Sequence, residues 1–289
     1  MRRRGDEGET LAKVKAKKEI KGKLPTRRLP WFAWLGIALA IVAVVIFVRS
    51  SPSNKPTGSS QPSDLRAAIV DQLYSLQPNE AFISEVTAEL EDYGFEVDLY
   101  QGDEVTVDLY RQLPGYGHQL IVFRAHSGLL RSKGERIERT CLFTNEPYSE
   151  TKHVAEQLSD QLAKARIDEY HPWVFGIGDG FVAQSMEGEF DDTVIIMMGC
   201  SCLYLEDLAE AFINKGAAAY LAWVATVDLD YVDDATLSLV ENLCTKELTV
   251  GKAVAETMAE KGPDPHYGAV LKYYPPNSGS HTIEELLSA

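Results

Sequence analysis

The sequence predicts an α/β fold with a mainly parallel sheet, preceded by a single transmembrane helix. Three observations carry this expectation. Beyond residue 63, strand-like runs alternate with helix-like ones, the pattern of a parallel sheet covered on both faces. Two of those runs are short, β-branched and end at small or turn-forming residues, as buried strands do. Near the amino end, 20 consecutive residues (29–48) carry no charge, enough to cross a bilayer as a helix.

The uncharged run opens at Leu29 and closes at Val48, with Trp31, Phe32 and Trp34 near its start, where interfacial aromatics belong. It is long for a signal-peptide core, and no A-x-A-like cleavage site follows at once. Residues 1–28 hold 11 Lys/Arg against four acids, whereas only Arg49 and Lys55 flank the other side. The positive-inside rule then predicts a single-pass protein of the cell membrane. Its amino terminus is expected to be cytoplasmic and its main domain extracytoplasmic. The basic tail suits anionic lipid head groups. Residues 49–62 are rich in Ser, Pro and Gly and cannot bury a core, so they read as a flexible tether. The domain is expected over residues 63–289.

Without the basic tail the chain has 17 Lys/Arg and 39 Asp/Glu, a net charge of −22. Such a surface repels nucleic acid, so no nucleic-acid partner is expected. The four cysteines, Cys141, Cys200, Cys202 and Cys244, are too few for a disulfide scaffold. They leave a Cys141–Cys244 pairing open. No second Cys/His pair stands at zinc-ligand spacing from Cys200 and Cys202, so no metal is expected.

In chain order, Ser63 or Asp64 caps a first helix reaching residue 76. Asn79 caps a second, with Phe82, Ile83, Val86 and Leu90 on one face and a stop at Gly94. Residues 95–100 alternate as a strand, and 104–113 read as a helix. Residues 119–125 form a buried strand, 136–143 a strand or hairpin arm, and 154–165 an amphipathic helix. Residues 173–177 are a short strand, and Asp179 caps the helix after it. Residues 193–199 are the second buried strand. Then come a helix (205–215), a strand (218–224), two helices (233–244 and 249–261) and a last strand (270–274).

The buried strands end in reactive side chains. Leu120-Ile121-Val122-Phe123-Arg124-Ala125 leads to His126-Ser127-Gly128, and Thr193-Val194-Ile195-Ile196-Met197-Met198-Gly199 leads to Cys200-Ser201-Cys202. Active sites of open α/β sheets gather at the carboxyl ends of strands. A histidine at one end and a cysteine at another supply a base and a thiol nucleophile. Backbone N–H groups around Cys200 and Ser201 would suit an oxyanion. Cys202 is the competing thiol, but no apolar run leads directly into it. Asp228, Asp230, Asp233 and Asp234 form an acidic cluster that would favour a basic substrate side chain, or else serve as a solvated loop and helix cap. They lack the EF-hand order. Residues 176–180, Gly-Ile-Gly-Asp-Gly, lack the dinucleotide fingerprint, read instead as a glycine turn at the active-site rim, and no cofactor is expected.

These runs, their order and the helix–Gly–strand stretch over 207–223 resemble the caspase-like cysteine peptidases, particularly gingipain-like and CHAT-like domains. The likeness covers residues 95–261. The family pattern has His-Gly where this chain has His-Ser-Gly, and Ala before Cys where this chain has Gly199. The resemblance implies a caspase-like three-layer sandwich. It also implies an endopeptidase in which Cys200 attacks the peptide bond, His126 moves the proton and an acyl-enzyme forms. It places Gly128 at the tight turn beside the scissile carbonyl and Trp223 in the first substrate pocket, with Asp228 close behind. The partner implied is a peptide or protein substrate. One rival is a catalytically inactive caspase-like surface domain that binds a partner. Another is an unrelated flavodoxin-like module holding a small ligand.

Overall fold

The computed structural model describes residues 65–131 and 137–288. The predicted tail, membrane span and tether lie outside the described residues. Among those residues, no helix is long and apolar enough to cross a membrane.

A six-stranded sheet forms the centre. In chain order its strands are β1 (Arg66–Asp71), β2 (Glu96–Gln101), β3 (Leu120–Arg124), β8 (Thr193–Met197), β9 (Ala217–Trp223) and β10 (Leu271–Tyr274). Across the sheet the order is β10-β9-β8-β3-β1-β2. All neighbours are parallel except β10, which runs antiparallel to β9. β3 and β8 are buried at every position, which explains why neither sequence alternates between polar and apolar.

Successive side chains on these strands feed two cores. Ala67, Ile69, Leu120, Val122, Val194 and Ile196 share one cluster with helices α1 (Glu80–Tyr93), α6 (Leu229–Cys244), α7 (Val250–Lys261) and α8 (Ile283–Leu286). Ala68, Val70, Ile121, Phe123, Ile195 and Met197 share the other with α2 (Val107–Gln112), α4 (Asp179–Gln184) and α5 (Asp207–Asn214). Helices, sheet and helices make three layers. α1 has the ends its sequence predicts. Asn79 accepts a hydrogen bond from the Phe82 N–H (3.2 Å), and Gly94 closes the helix at φ 119°.

A second, antiparallel sheet grows out of the segment after β3. Its order is β4 (Ser127–Arg131), β5 (Ile137–Pro147), β7 (Val174–Ile177), β6 (Leu162–Ala165). The short α3 (Val154–Leu158) lies between β5 and β6 in the chain.

Three sequence expectations are corrected here. Residues 66–71 form strand β1, in the middle of the helix expected from Ser63 or Asp64 to residue 76, and Ala67, Ala68, Ile69 and Val70 are wholly buried between β2 and β3. The helix expected over 154–165 stops at Leu158. Asp160 takes a left-handed conformation (φ 56°), and β6 pairs with β7. The helix expected from residue 104 begins at Val107, where Thr106 accepts from the Leu109 N–H (3.1 Å). β4 was not expected at all. The four cysteines are free thiols, and Cys141 and Cys244 belong to different cores, so that pairing is not made.

Candidate active site

β3 and β8 lie side by side and parallel, with Phe123 opposite Met197. The Met198 N–H donates to the Phe123 carbonyl (3.0 Å), carrying the pairing one residue past β8. His126 and Cys200 therefore leave the same edge of the sheet from adjacent strands. Both line one open cleft of about 790 Å³, together with Ser127, Gly128, Ser201 and Thr226 from the sheet edge. The β6–β7 segment supplies the far wall through Lys164, Arg166 and Trp173.

The backbone of His126 is held on both sides. Its N–H donates to Gln72 Oε1 (2.9 Å), and its carbonyl accepts from the Phe143 N–H (2.9 Å). Gln72 is itself oriented. Its side-chain amide donates to Asn145 Oδ1 (2.5 Å), while the Asn145 amide donates to the Gln72 and Gly102 carbonyls (2.8 Å each). Among the described residues no hydrogen bond engages the His126 imidazole. Burial, then the charges of His171 and Arg124, push its pKa down to about 4. The ring is a neutral base at physiological pH.

The loop carrying Cys200 is fixed by Ser127, whose Oγ donates to the Cys200 carbonyl (2.6 Å). A methyl group at position 199 would collide with that same Ser127 side chain and come within 2.9 Å of the Ala125 carbonyl. The serine after His126 and the glycine before Cys200 thus fit each other. Ser127 fills the space that Gly199 leaves empty.

Compared with known proteins, the chain matches no family model and no curated protein.

Cys200 is half-buried, with its Sγ 3.8 Å from the Val227 carbonyl. Burial raises its thiol pKa, and the nearby Asp264 charge adds to the rise. Cys202 is buried, its thiol is pushed up to about 12 chiefly by desolvation, and it does not line the cleft. Cys141 also lines the cleft, but it is buried and its thiol is pushed up to about 12 chiefly by desolvation, so Cys200 is the more accessible thiol. No hydrogen bond joins Cys200 to His126 among the described residues. At rest a neutral thiol and a neutral imidazole face one cleft, and a base that takes the proton during attack is the chemistry these two groups permit.

The other expected site residues divide. Gly128 is the second residue of β4, opposite Cys141 of β5, rather than part of a tight turn; it lines the cleft and faces open space where a Cβ would point. Ser201 also lines the cleft, in a left-handed conformation (φ 56°), but its N–H donates to the Ala225 carbonyl (2.9 Å). That donor is already engaged. Trp223 is 1% exposed, packs edge-on against Tyr231 in the core and forms no part of the cleft wall. Asp228 caps α6 by accepting from the Asp230 and Tyr231 N–H groups. Thr226 stands in the cleft wall instead of either.

The rest of the acidic cluster has structural partners. Asp233 forms a bidentate pair with Arg124 (2.8 Å for each bond), Asp234 meets Lys261 (2.9 Å), and Asp230 accepts from Gln77 (2.9 Å). Residues 176–180 do not line the cleft and are not a rim turn: Gly176 and Ile177 belong to β7, where Gly176 backs onto the Cys141 sulfur, and Asp179 and Gly180 open α4. Sequence reasoning missed Gln72, Asn145 and Arg124, whose roles depend on long-range neighbours. It also missed Lys164, Arg166 and Trp173, although their order around β6 and β7 would have shown had residues 162–165 been read as a strand.

Proposed function

We propose that this chain is a membrane-anchored, caspase-like cysteine endopeptidase whose extracytoplasmic domain acts through Cys200 and His126. The observation that carries the reading is the parallel pairing of β3 with β8, which brings both side chains to one cleft. The sheet order and the antiparallel β10 support a caspase-like sandwich. In the reaction His126 takes the Cys200 thiol proton as Sγ bonds to the scissile carbonyl carbon. The C–N bond then breaks, and the proton passes from the imidazole to the leaving amine. Water, deprotonated by the same ring, hydrolyses the thioester and restores the thiol. Gly128 of β4 and the backbone at Cys200 line the cleft and are the candidates to receive the oxyanion.

A catalytically silent binding domain is the second reading. The raised Cys200 thiol and the engaged Ser201 N–H favour it. One experiment separates the two. Full-length protein in mild detergent is treated with electrophilic peptide probes, beside Cys200→Ala and His126→Ala. The peptidase reading expects labelling at Cys200 that disappears in the first variant and slows by about a hundredfold or more in the second. Labelling no faster than that of a free thiol, and indifferent to His126, leaves the binding domain.

A further inference from the structure

We propose that the cleft receives a peptide carrying an acidic side chain, and that Arg166 and Lys164 bind its carboxylate. The proposal rests on the reading of this cleft as the peptide site. Lys164 belongs to β6, Arg166 follows its last residue, and Trp173 precedes the first residue of β7. The antiparallel register, Lys164 opposite Phe175 and Ala165 opposite Val174, brings the three together.

Both cations lie over one indole. The Arg166 guanidinium carbon is 4.3 Å from the Trp173 ring centroid and Lys164 Nζ is 4.6 Å from it. Lys164 Nζ is also 4.9 Å from the Tyr148 ring. Cation–π contact holds a cation in place, while the donor edge of the guanidinium stays free for the two oxygens of a carboxylate.

Among the described residues neither cation has a carboxylate within ion-pair distance. Arg66, Arg111, Arg124, Arg139, Lys152, Lys246 and Lys261 each have one; Lys215, Lys252 and Lys272 also lack one among the described residues, but none of these three lies over an aromatic ring as Lys164 and Arg166 do. In a domain with more than twice as many acids as bases, two adjacent unpaired cations run against the composition. The acids of the same cleft do not serve them. Asp168 accepts from the His171 ring (2.7 Å) and from the Tyr170 N–H (2.8 Å) within its own loop. Glu169 is exposed and makes no ion pair among the described residues. Cys200 and His126 line the same cleft, so an acidic side chain bound here sits along a segment presented to the thiol.

The test uses the full-length Cys200→Ala protein and short fluorescent peptides carrying Glu, Gln or Lys at each position in turn, read by anisotropy. At one position the Glu peptide should bind about tenfold or more tighter than its Gln counterpart, the worth of a charge-assisted pair. A Lys164→Gln/Arg166→Gln variant of unchanged circular dichroism should lose that preference, and Arg166→Glu should turn it toward Lys. Equal binding of Glu and Gln peptides, preference for Lys in the unaltered cleft, or no peptide binding at all overturns the proposal. The same residues are placed in the electrophilic probes. Cys200 labelling without preference for Glu sinks the anion site and leaves the peptidase standing. Glu-selective, Arg166-dependent binding without labelling does the reverse.

Discussion

At the scale of single residues, Ser127 and Gly199 act as one unit. Overpacking a filled site costs about 1–3 kcal/mol, so Gly199→Ala should lose about that much, since the added methyl meets Ser127. Combined with Ser127→Gly, the loss should shrink by at least about 0.5 kcal/mol, a coupling expected of residues in contact. Strict additivity in urea unfolding would show that the two do not compete for the space. His126 makes a second prediction. Its folded pKa of about 4 lies below the ordinary 6.5. Between those values the unfolded chain takes up a proton that the folded one refuses. The stability held by the neutral ring is thus complete above about pH 6.5 and is lost as pH falls toward 4. The difference in unfolding free energy between the protein and His126→Gln should therefore move by about 1–3 kcal/mol between pH 7 and pH 4, to the disadvantage of the histidine. A difference constant with pH would mean that burial does not hold this ring neutral.

Between elements, Arg124 is the tie. It ends β3, is fully buried, and binds Asp233 of α6, Asp71 of β1 (3.0 Å) and the Gln77 carbonyl (3.0 Å). Burial raises the Asp71 pKa even against the Arg124 charge, so the carboxylate depends on its partner to stay ionised. Arg124→Met strands two buried acids and should cost about 3–5 kcal/mol, the range for a broken buried pair. A loss below about 1 kcal/mol in chemical denaturation would refute the tie. This cluster also marks where sequence reading stops. Runs such as Val122-Phe123 and Ile195-Ile196 are legible because β-branched and aromatic residues suit a doubly covered strand. Phe82, Ile83, Val86 and Leu90 show a helix by spacing alone. Ala67-Ala68-Ile69-Val70 is too short and too rich in alanine for its period to separate strand from helix, and Ser63-Asp64 supplies a false start signal. Leu162-Ala163-Lys164-Ala165 has good local helix propensity, overridden by pairing with β7. His126 and Cys200 are legible because strand ends announce them. Gln72 and Asn145 are not, because their meaning lies in each other.

At the scale of the whole molecule, β1 decides whether the sheet exists. It is the first described strand in the chain but lies between β2 and β3. Every one of its residues from Ala67 to Asp71 is buried. Removing it would divide the sheet, leave β2 without its neighbour and expose the inner edge of β3, an unpaired edge of the kind that promotes aggregation. It would also take Asp71 from Arg124 and expose the inner sides of both cores. A chain beginning at residue 63 keeps every strand of the central sheet, and one beginning at residue 72 loses only β1. The first is expected to unfold in one cooperative thermal transition and to elute as a compact species. The second is expected to show no cooperative transition and to aggregate. Cooperative unfolding of the chain that begins at residue 72 would mean that β1 is dispensable. The correction from helix to strand at residues 66–71 would then carry no weight for the fold, and the placement of His126 beside Cys200 would have to rest on β3 and β8 alone.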